Sequence, residues 1–314
     1  MTKALLDSMT DQEDLSTASS HGLQPETASG PGPQCKPGFV DVLGVNVSAV
    51  NMNVAVSLAE RWIDAGHPGY VCVTGVHGVM EAQKDPEFRR ILNGAAINLP
   101  DGMPMTWVGR LRGFRNMDRV FGPDFMATIC RLSVERGFRN FFYGGQPGVA
   151  QLLSDKLRSR FPGLQVVGTC TPPFRSLTLQ EEFEVVAHVL QSRPHILWVG
   201  LSTPKQERFM AQYARRFQVP LMVGVGAAFD FHTGRIRDCS PWMKRAGLQW
   251  LHRLAQDPRR LWKRYLLNNP AFIGQIGWQL AGMRAKATTV HAAAEAQRNP
   301  PQTVPLGPKD NATI

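Results

Sequence analysis

Four short segments of the sequence combine glycines with polar residues, as ligand-binding loops do. They are Leu99–Pro104, Phe142–Val149, Val199–Glu207 and Gly224–Gly234. Each follows a short apolar run that predicts a buried strand, and amphipathic stretches that predict helices follow nearly every strand. Because ligands of α/β proteins bind at the carboxyl ends of the strands, we expect these four loops to form one site.

The first loop contains one carboxylate, Asp101, between Pro100 and Gly102. A carboxylate at this edge of a sheet can take a proton from a substrate hydroxyl and so act as a general base. Asp is also a common N-cap of helices, and position alone favours that capping role. Both roles stay open at this level.

The other three loops have features of anion-binding segments. The glycines of Gly144–Gly148 let the backbone approach a ligand, and the next helix offers free N–H groups to a phosphate. Lys205 and Gln206 begin a predicted helix, whose dipole favours anions at that end. Gly226 and Asp230 lie in the last loop, where the Asp could accept hydrogen bonds from a ribose or a base. Each loop can instead be an ordinary turn with capping or solvated residues.

Motifs of several other chemistries are absent from the sequence. There is no D-x-D carboxylate pair, no H-E-x-x-H and no Cys/His cluster, so we predict no metal site. The loop Gly144–Gly148 matches neither the dinucleotide fingerprint G-x-G-x-x-G nor a Walker sequence, and we predict no cofactor. No G-x-S-x-G elbow is present to anchor a hydrolase triad. His77 follows a predicted strand and could face the site, although a lone His is more often a hydrogen-bonded bystander.

The order of these elements predicts an α/β fold with a mainly parallel sheet covered by helices on both faces. Apolar residues at helical spacing predict helices over Val149–Phe161 and Leu179–Gln191. Composition divides the 314 residues into a disordered tail at 1–37, a core at 38–238, a helical appendage at 239–285 and a second disordered tail at 286–314. The predicted strands are Val40–Val47, Tyr70–Thr74, Ala96–Leu99, Asn140–Tyr143, Gln165–Gly168, Ile196–Gly200 and Leu221–Val225.

The predicted appendage is strongly basic. Residues 235–264 contain nine cations and two acids, and they account for +7 of the chain's net charge of +10. Such a segment, interleaved with tryptophans, suits an anionic membrane surface, while a solvated helix face and a nucleic-acid patch are alternatives. The chain has no run of about 18 apolar residues, no secretory signal and only scattered cysteines. We therefore predict a cytoplasmic protein that is peripheral at the inner face of the cell membrane.

Seven blocks of the sequence, taken in order, carry a resemblance to a known family. They are Glu81–Phe88, Pro100–Met103, Asp118–Asp124, Gly144–Ala150, Pro204–Glu207, Gly224–Asp230 and Pro241–Leu254. Together they resemble the WecG/TagA/CpsF family of bacterial glycosyltransferases, glycosyltransferase family 26, over Val40 to Phe272. One block would be weak evidence, whereas seven in order are specific.

This resemblance implies a Rossmann-like, GT-E-like fold whose basic C-terminal appendage closes the site at the membrane. It implies transfer of a sugar from a UDP-sugar to a polyprenyl-diphosphate-linked acceptor, with inversion and without a metal. Enzymes that look like this make exopolysaccharides, capsules and related surface glycans. The implied partners are the donor, the lipid-linked acceptor and an anionic membrane surface, without nucleic acid, and a homo-oligomer stays open.

The resemblance also assigns roles to individual residues. Asp101 matches the catalytic base, and Arg119 and Gln206 match polar residues near the donor phosphates and sugar. We expect substrate-binding roles for Thr74, Gly144, Gly145, Pro147, Gly148, Lys205, Gly226 and Asp230. We expect membrane or acceptor contacts from Arg253, Arg259, Arg260, Lys263 and Arg264.

In one place the chain departs from the family pattern. Many members carry Thr-Pro-Asn after the second strand, whereas this chain has Thr74, Gly75 and Val76. The Asn that is thought to help hold the acceptor or the base is therefore replaced by Val76. Neither the donor sugar nor the acceptor and its linkage is specified by the sequence.

Two hypotheses from other classes stay open. The α/β pattern permits a nicotinamide-dependent oxidoreductase, although the missing fingerprint counts against it. The basic C-terminal helices permit a nucleic-acid-binding protein, whose binding would fall steeply with salt. Such a protein would not need the clustered strand-end loops.

Overall fold

The structure is a computed structural model that describes residues 37–298. Nearly all of the tail predicted at 1–37 lies outside the described residues, and so does 299–314 of the second predicted tail. The last helix of the described chain runs to Arg298, across the boundary predicted at residue 285. The division into a core and an appendage stays a prediction.

The described chain begins with a hairpin where the sequence predicts one strand over Val40–Val47. Two antiparallel strands form instead, β1 (Phe39–Val42) and β2 (Val45–Ser48). Leu43 and Gly44 make the turn between them, with φ of 53° and 81°. A two-residue turn with positive φ at both positions suits the twist of a hairpin, so the apolar run is broken there.

A six-stranded sheet forms the centre of the fold. Its strands are β3 (Gly69–Thr74), β4 (Ile97–Pro100), β5 (Asn140–Gly144), β6 (Val166–Cys170), β7 (Ile196–Gly200) and β8 (Leu221–Gly224). All neighbours are parallel, in the order β4-β3-β8-β7-β5-β6. The six corresponding sequence predictions agree with these bounds within two residues, and the predicted α/β fold with a mainly parallel sheet is confirmed.

Helices cover both faces of this sheet. Residues 149–160 and 179–192 form helices that agree with the two predicted from periodicity. The helices of the described chain are α1 (Met52–Ala65), α2 (Val76–Lys84), α3 (Pro86–Asn93), α4 (Met103–Leu111), α5 (Gly122–Arg136), α6 (Val149–Arg160), α7 (Leu179–Ser192), α8 (Lys205–Phe217), α9 (Ala228–His232), α10 (Pro241–Arg245), α11 (Gln249–Gln256) and α12 (Pro258–Arg298).

Strand β7 shows why the sheet is buried on both sides. Ile196 and Trp198 belong to one apolar cluster, and Leu197 and Val199 belong to the other. Alternate side chains of a strand point to opposite faces, so a continuous apolar run feeds two cores. The Trp198 indole N–H donates to Asn140 Oδ1 at 2.9 Å, which satisfies the polar atom that burial would otherwise leave without a partner.

Helix α12 packs on the core along one stripe. Leu261, Asn268, Phe272 and Ile276 are buried, and their spacings of seven, four and four residues place them on one helix face. Further along, the Leu43 backbone N–H donates to Gln279 Oε1 at 3.1 Å and ties α12 to the hairpin turn. Within residues 37–298 no helix is both long and apolar enough to cross a membrane.

Candidate active site

A cleft of about 1830 Å³ lies at the carboxyl ends of the strands. All four glycine-containing loops contribute to its lining, through Asp101 after β4, Gly145 after β5, Gln206 after β7 and Gly226 after β8. The parallel arrangement brings these loops to one edge, although they are far apart in sequence. The far wall of the cleft is formed by α11 and α12, so the appendage and the core share one site.

The loop after β3 fixes the backbone of Asp101. The Asp101 N–H donates to the carbonyl of Thr74 at 2.9 Å, and the Thr74 side chain is buried. At Gly75 a Cβ atom would lie 2.7 Å from the Asp101 carbonyl oxygen, closer than real contacts allow. The two loops approach this closely because residue 75 has no side chain.

Asp101 and Arg119 form the first charged pair of the cleft. Arg119 Nε lies 3.7 Å from Asp101 Oδ1, which is close enough for attraction but too long for a hydrogen bond. About 34% of the Asp101 side chain is open to the cleft, whereas dense protein encloses the rest of it. Burial raises the pKa of the Asp101 carboxyl, and the opposing charges of Arg119 and Arg264 only partly offset this rise.

Two other residues hold the Arg119 side chain in place. Its guanidinium lies 4.3 Å from the centre of the Phe121 ring, and it donates to Gln249 Oε1 on α11. Only 11% of the side chain is exposed, and its Nε has no hydrogen-bond partner. This cation is therefore fixed by a ring and an amide, and one of its donors stays available.

Gln206 and Glu207 bring a buried amide and a buried carboxylate to the same cleft. Glu207 Oε1 accepts from Thr203 Oγ1 at 2.8 Å and from Gln206 Nε2 at 3.0 Å. Because Gln206 Nε2 is engaged in this way, its Oε1 is the free atom of the amide, and it has no partner. Burial raises the pKa of the Glu207 carboxyl despite these hydrogen bonds.

Arg264 lies inside the cleft. Helix α12 turns it towards the core on the same stripe as Leu261 and Asn268, and the membrane or acceptor contact predicted for it stays a prediction. Burial lowers the pKa of its guanidinium, while the carboxylates of Asp101 and Glu207 act in the opposite direction. Arg264 thus adds a second buried cation opposite the two carboxylates.

Four of these side chains have a buried polar atom without a hydrogen-bond partner. The atoms are Arg119 Nε, Gln206 Oε1, Glu207 Oε2 and Arg264 Nε. Buried polar atoms are nearly always paired, and leaving one unpaired costs about 1–3 kcal/mol. The two arginine nitrogens are donors and the other two atoms are acceptors, and all four side chains line the same cleft, so a ligand with both donors and acceptors would complete the site.

The structure brings most of the residues predicted from the sequence to this cleft. Asp230 lies there in an ion pair with Arg235, at 3.3 Å, and Arg235 also donates to Gln146 Oε1 at 2.7 Å. The other predicted residues that line the cleft are Thr74, Asp101, Arg119, Gly145, Lys205, Gln206, Gly226, Arg253, Arg260, Lys263 and Arg264.

Four predicted residues do not line the cleft. Gly144 ends β5, where a Cβ atom would lie 2.7 Å from the Gly200 carbonyl oxygen, so its role there is close strand packing. Pro147 and Gly148 are exposed at the start of α6, and Arg259 is exposed on α12. Within Gly144–Gly148 only Gly145 and Gln146 line the cleft, and the phosphate-side role of the loop stays a prediction.

Several cleft residues were not singled out by the sequence. Glu207 belongs to the block Pro204–Glu207, so the sequence does contain a signal for it. Gln249 likewise belongs to the block Pro241–Leu254, whereas Asn268 has no such signal, because it lies on a helix and reaches the cleft only through the packing of the appendage. His77 was noted as a lone His, and it too lines the cleft.

Comparison with known proteins identifies the family. The model of the glycosyl transferase WecG/TagA/CpsF family matches residues 40–286. A relative from Bacillus subtilis is 26% identical over 224 residues, which cover 70% of this chain and 85% of the relative. A relative from Bacillus spizizenii is 26% identical over 219 residues, covering 70% and 82%. Both relatives are named N-acetylglucosaminyldiphosphoundecaprenol N-acetyl-beta-D-mannosaminyltransferase.

The family match spans most of the chain and includes all six strands of the central sheet and the residues that line the cleft. It also contains all seven sequence blocks that carry the resemblance. The protein therefore belongs to the WecG/TagA/CpsF family and is a glycosyltransferase.

Proposed function

We propose that this glycosyltransferase transfers a sugar from a UDP-sugar to a polyprenyl-diphosphate-linked acceptor in the synthesis of a bacterial exopolysaccharide, capsule or related surface glycan. The observation that carries the proposal is the set of unpartnered polar atoms on Arg119, Gln206, Glu207 and Arg264, which line the same cleft as Asp101. The names of the two relatives, which specify a lipid-linked diphosphate sugar as acceptor, support the acceptor class. Family membership favours this activity over the nicotinamide-dependent oxidoreductase and nucleic-acid-binding hypotheses.

Asp101 is the general base of the proposed reaction. Its carboxylate takes the proton of an acceptor hydroxyl, and the acceptor oxygen attacks the anomeric carbon of the donor from the face opposite the diphosphate. The bond from that carbon to the diphosphate oxygen breaks, its electron pair leaves with UDP, and the configuration is inverted. A raised pKa suits this role, because a base works best when its pKa approaches the working pH.

Glu207 is less suited to act as the base. Its side chain is almost wholly buried, whereas about a third of the Asp101 side chain is open to the cleft. Glu207 instead holds the amide of Gln206, so that Gln206 Oε1 can accept a hydrogen bond from a donor sugar hydroxyl or amide.

Cationic side chains stabilise the departing diphosphate in this proposal. Arg119 and Arg264 are buried in the cleft, and Lys205 begins α8 at its edge. In the part of the chain that the structure describes, no three His, Cys, Asp or Glu side chains are grouped to hold a metal ion. We therefore assign the charge of the leaving group to these cations and the nearby backbone N–H groups, and we predict transfer in EDTA.

The appendage is proposed to place the cleft at the inner face of the cell membrane. Large apolar side chains of α12 are exposed, among them Leu267, Ile273 and Trp278, of which the last is 86% exposed. Arg259 and Lys263 are exposed on the same helix. Apolar and cationic side chains together suit the interface of an anionic bilayer, where a lipid-linked acceptor resides.

Calorimetric titration with UDP and with NAD, both in EDTA, is the first test. UDP binding without an NAD signal is expected, and binding of NAD alone would overturn the proposal. A transfer assay then presents a polyprenyl-diphosphate-linked N-acetylglucosamine with UDP-N-acetylmannosamine, its uronic acid, UDP-glucose and UDP-glucuronic acid in turn. Transfer from at least one donor is expected.

The variant Asp101→Asn tests the assignment of the base. It keeps the shape of the side chain but cannot accept the proton, so kcat should fall by roughly 10²- to 10⁴-fold while UDP still binds. Turnover close to that of the unmodified enzyme would exclude Asp101 as the base. Loss of UDP binding would instead assign Asp101 to the donor site.

A further inference from the structure

His77 connects three parts of the cleft that are distant in sequence. It is the second residue of α2 and is 18% exposed. Asn268 of α12 donates from Nδ2 to His77 Nδ1 at 3.1 Å. The ring also forms a hydrogen bond with the backbone of Thr203, in the loop that leads to Gln206 and Glu207. One imidazole therefore touches the appendage on one side and the β7–α8 loop on the other.

These contacts require one protonation state. An amide nitrogen can only donate, so Nδ1 accepts in this contact and the proton of the neutral ring lies on Nε2. Burial, together with the charges of Arg264 and Lys84, lowers the pKa of His77 to about 4. The pKa is lowered although Glu81 Oε1 lies 3.8 Å from His77 Nδ1. The ring is thus neutral at physiological pH and serves as both acceptor and donor.

Asn268 and Arg264 lie on the same face of α12. They are four residues apart, which places one above the other along a helix. Asn268 is buried, and one turn before it Arg264 faces Asp101 and Glu207. The bond between His77 and Asn268 therefore fixes the position of the helical turn that carries the cleft's second cation.

We infer that His77 is a positioning residue that docks α12 against the β7–α8 loop and so holds Arg264 opposite Asp101 and Glu207. The inference rests on the proposed function only for its effect on turnover, because the docking itself is a property of the fold. The cleft is complete only when α12 is docked, because Arg264 belongs to that helix.

Two measurements on the full-length protein test this inference. Hydrogen exchange of the backbone amides reports the docking of α12, and steady-state kinetics report kcat and KM for the donor and for the acceptor. The variants are His77→Ala, Asn268→Ala, Arg264→Ala and their pairwise combinations. The control is His67→Ala, since His67 is an exposed histidine outside the cleft.

We expect His77→Ala to speed amide exchange in α12 around residues 258–268 and to lower kcat/KM by roughly ten- to a hundredfold. In the Arg264→Ala background, His77→Ala should lower kcat/KM little further, because His77 acts through Arg264. The His77→Ala and Asn268→Ala effects should likewise overlap. Unchanged amide exchange in α12 would overturn the inference. So would a double variant of His77→Ala and Arg264→Ala whose loss of kcat/KM equals the product of the two single losses.

Two further variants separate the two hydrogen bonds of the ring. His77→Asn keeps an acceptor near the position of Nδ1, and His77→Gln keeps a donor near that of Nε2. If docking of α12 is what matters, His77→Asn should protect α12 better than His77→Gln does, and the reverse order would contradict the inference. If the unmodified enzyme transfers sugar from none of the donors, the proposed function fails. The hydrogen-exchange data then still decide whether His77 docks α12.

Discussion

Two arginines in this molecule have similar neighbours but different surroundings. Arg119 lies over the ring of Phe121 and beside Asp101, and Arg136 lies over the ring of Phe138 and beside Asp64. Each ring follows its arginine by two residues. The sequence pattern alone would therefore give the two guanidinium groups the same role.

Their hydrogen bonds separate them. Arg136 Nη2 donates to both carboxylate oxygens of Asp64, at 2.9 and 3.1 Å, and its Nε lies 3.1 Å from Glu60 Oε1. It is 46% exposed on the surface between α1 and α5. Arg119 is only 11% exposed, its carboxylate is 3.7 Å away, and its Nε is unpartnered. The first arginine completes a surface ion-pair network, while the second is left for a ligand.

The two arginines should therefore respond differently to removal. We expect Arg119→Ala to lower kcat by roughly 10²- to 10³-fold, as for other groups that stabilise developing charge. Arg136→Ala, the matched control, should leave kcat unchanged and lower the free energy of unfolding by about 1 kcal/mol or less. Transfer assays and urea denaturation on both variants check this. Equal losses of activity would show that the hydrogen-bond difference has no functional meaning.

Histidine titration extends the comparison to pH. The folded pKa of His77 is lowered from 6.5 to about 4, so the unfolded chain binds the proton more readily. The resulting stability is present above pH 6.5 and is lost as pH falls towards 4, by at most about 3 kcal/mol. His77→Gln should flatten this part of the pH profile of the free energy of unfolding.

The matched control for that profile is His67→Gln, because its ring is exposed. Denaturation curves at several pH values between 4 and 7 give the slopes for the three proteins. Identical slopes for His77→Gln and the unmodified protein would contradict the burial of a neutral His77. The charges nearest to this ring, Glu81, Lys84 and Arg264, are the same in both.

The exposed cations Arg259 and Lys263 of α12 form a third group, which lies outside the Arg136 network, and of the two only Lys263 also lines the cleft. Each cation near an anionic bilayer contributes about 1 kcal/mol to binding. Arg259→Gln combined with Lys263→Gln should therefore weaken binding to anionic vesicles by roughly 25-fold. The control pair is Arg61→Gln and Arg136→Gln, two exposed cations on α1 and α5. It should leave vesicle co-sedimentation unchanged. Equal weakening by both pairs would refute a specific membrane role.

Much of this site could be predicted because the signals are local. A strand followed by a polar loop is visible in the sequence, and the rule that parallel strands end at one edge then brings Asp101, Gln206 and Gly226 together. The strand order is not local, since it depends on which apolar faces pack best. Val40–Val47 was predicted as one strand because its apolar residues continue through the turn at Leu43 and Gly44.

The role of Arg264 shows what the sequence does not contain. One basic run contains Arg259, Arg260, Lys263 and Arg264. In helix α12 these side chains point in different directions and differ in exposure. Three of the four line the cleft, and only the buried stripe that includes Asn268 and Phe272 shows that Arg264 is the most enclosed of them. That stripe is broken by polar residues, so an apolar periodicity does not reveal it in advance.

The smallest predicted effect concerns the stability of the site itself. The pKa of Asp101 is raised in the folded protein, so the folded state binds its proton more readily than the unfolded chain does. Stability therefore falls as pH rises through this pKa, and the ionised carboxylate destabilises the fold at neutral pH. Asp101→Asn should raise Tm by a few degrees at pH 7.5 and by less at pH 4, although it abolishes transfer. The control Asp64→Asn, which removes a carboxylate from the Arg136 network, should not raise Tm. A lower Tm for Asp101→Asn at pH 7.5 would mean that the Asp101 carboxylate stabilises the fold, as the exposed carboxylates of that network do.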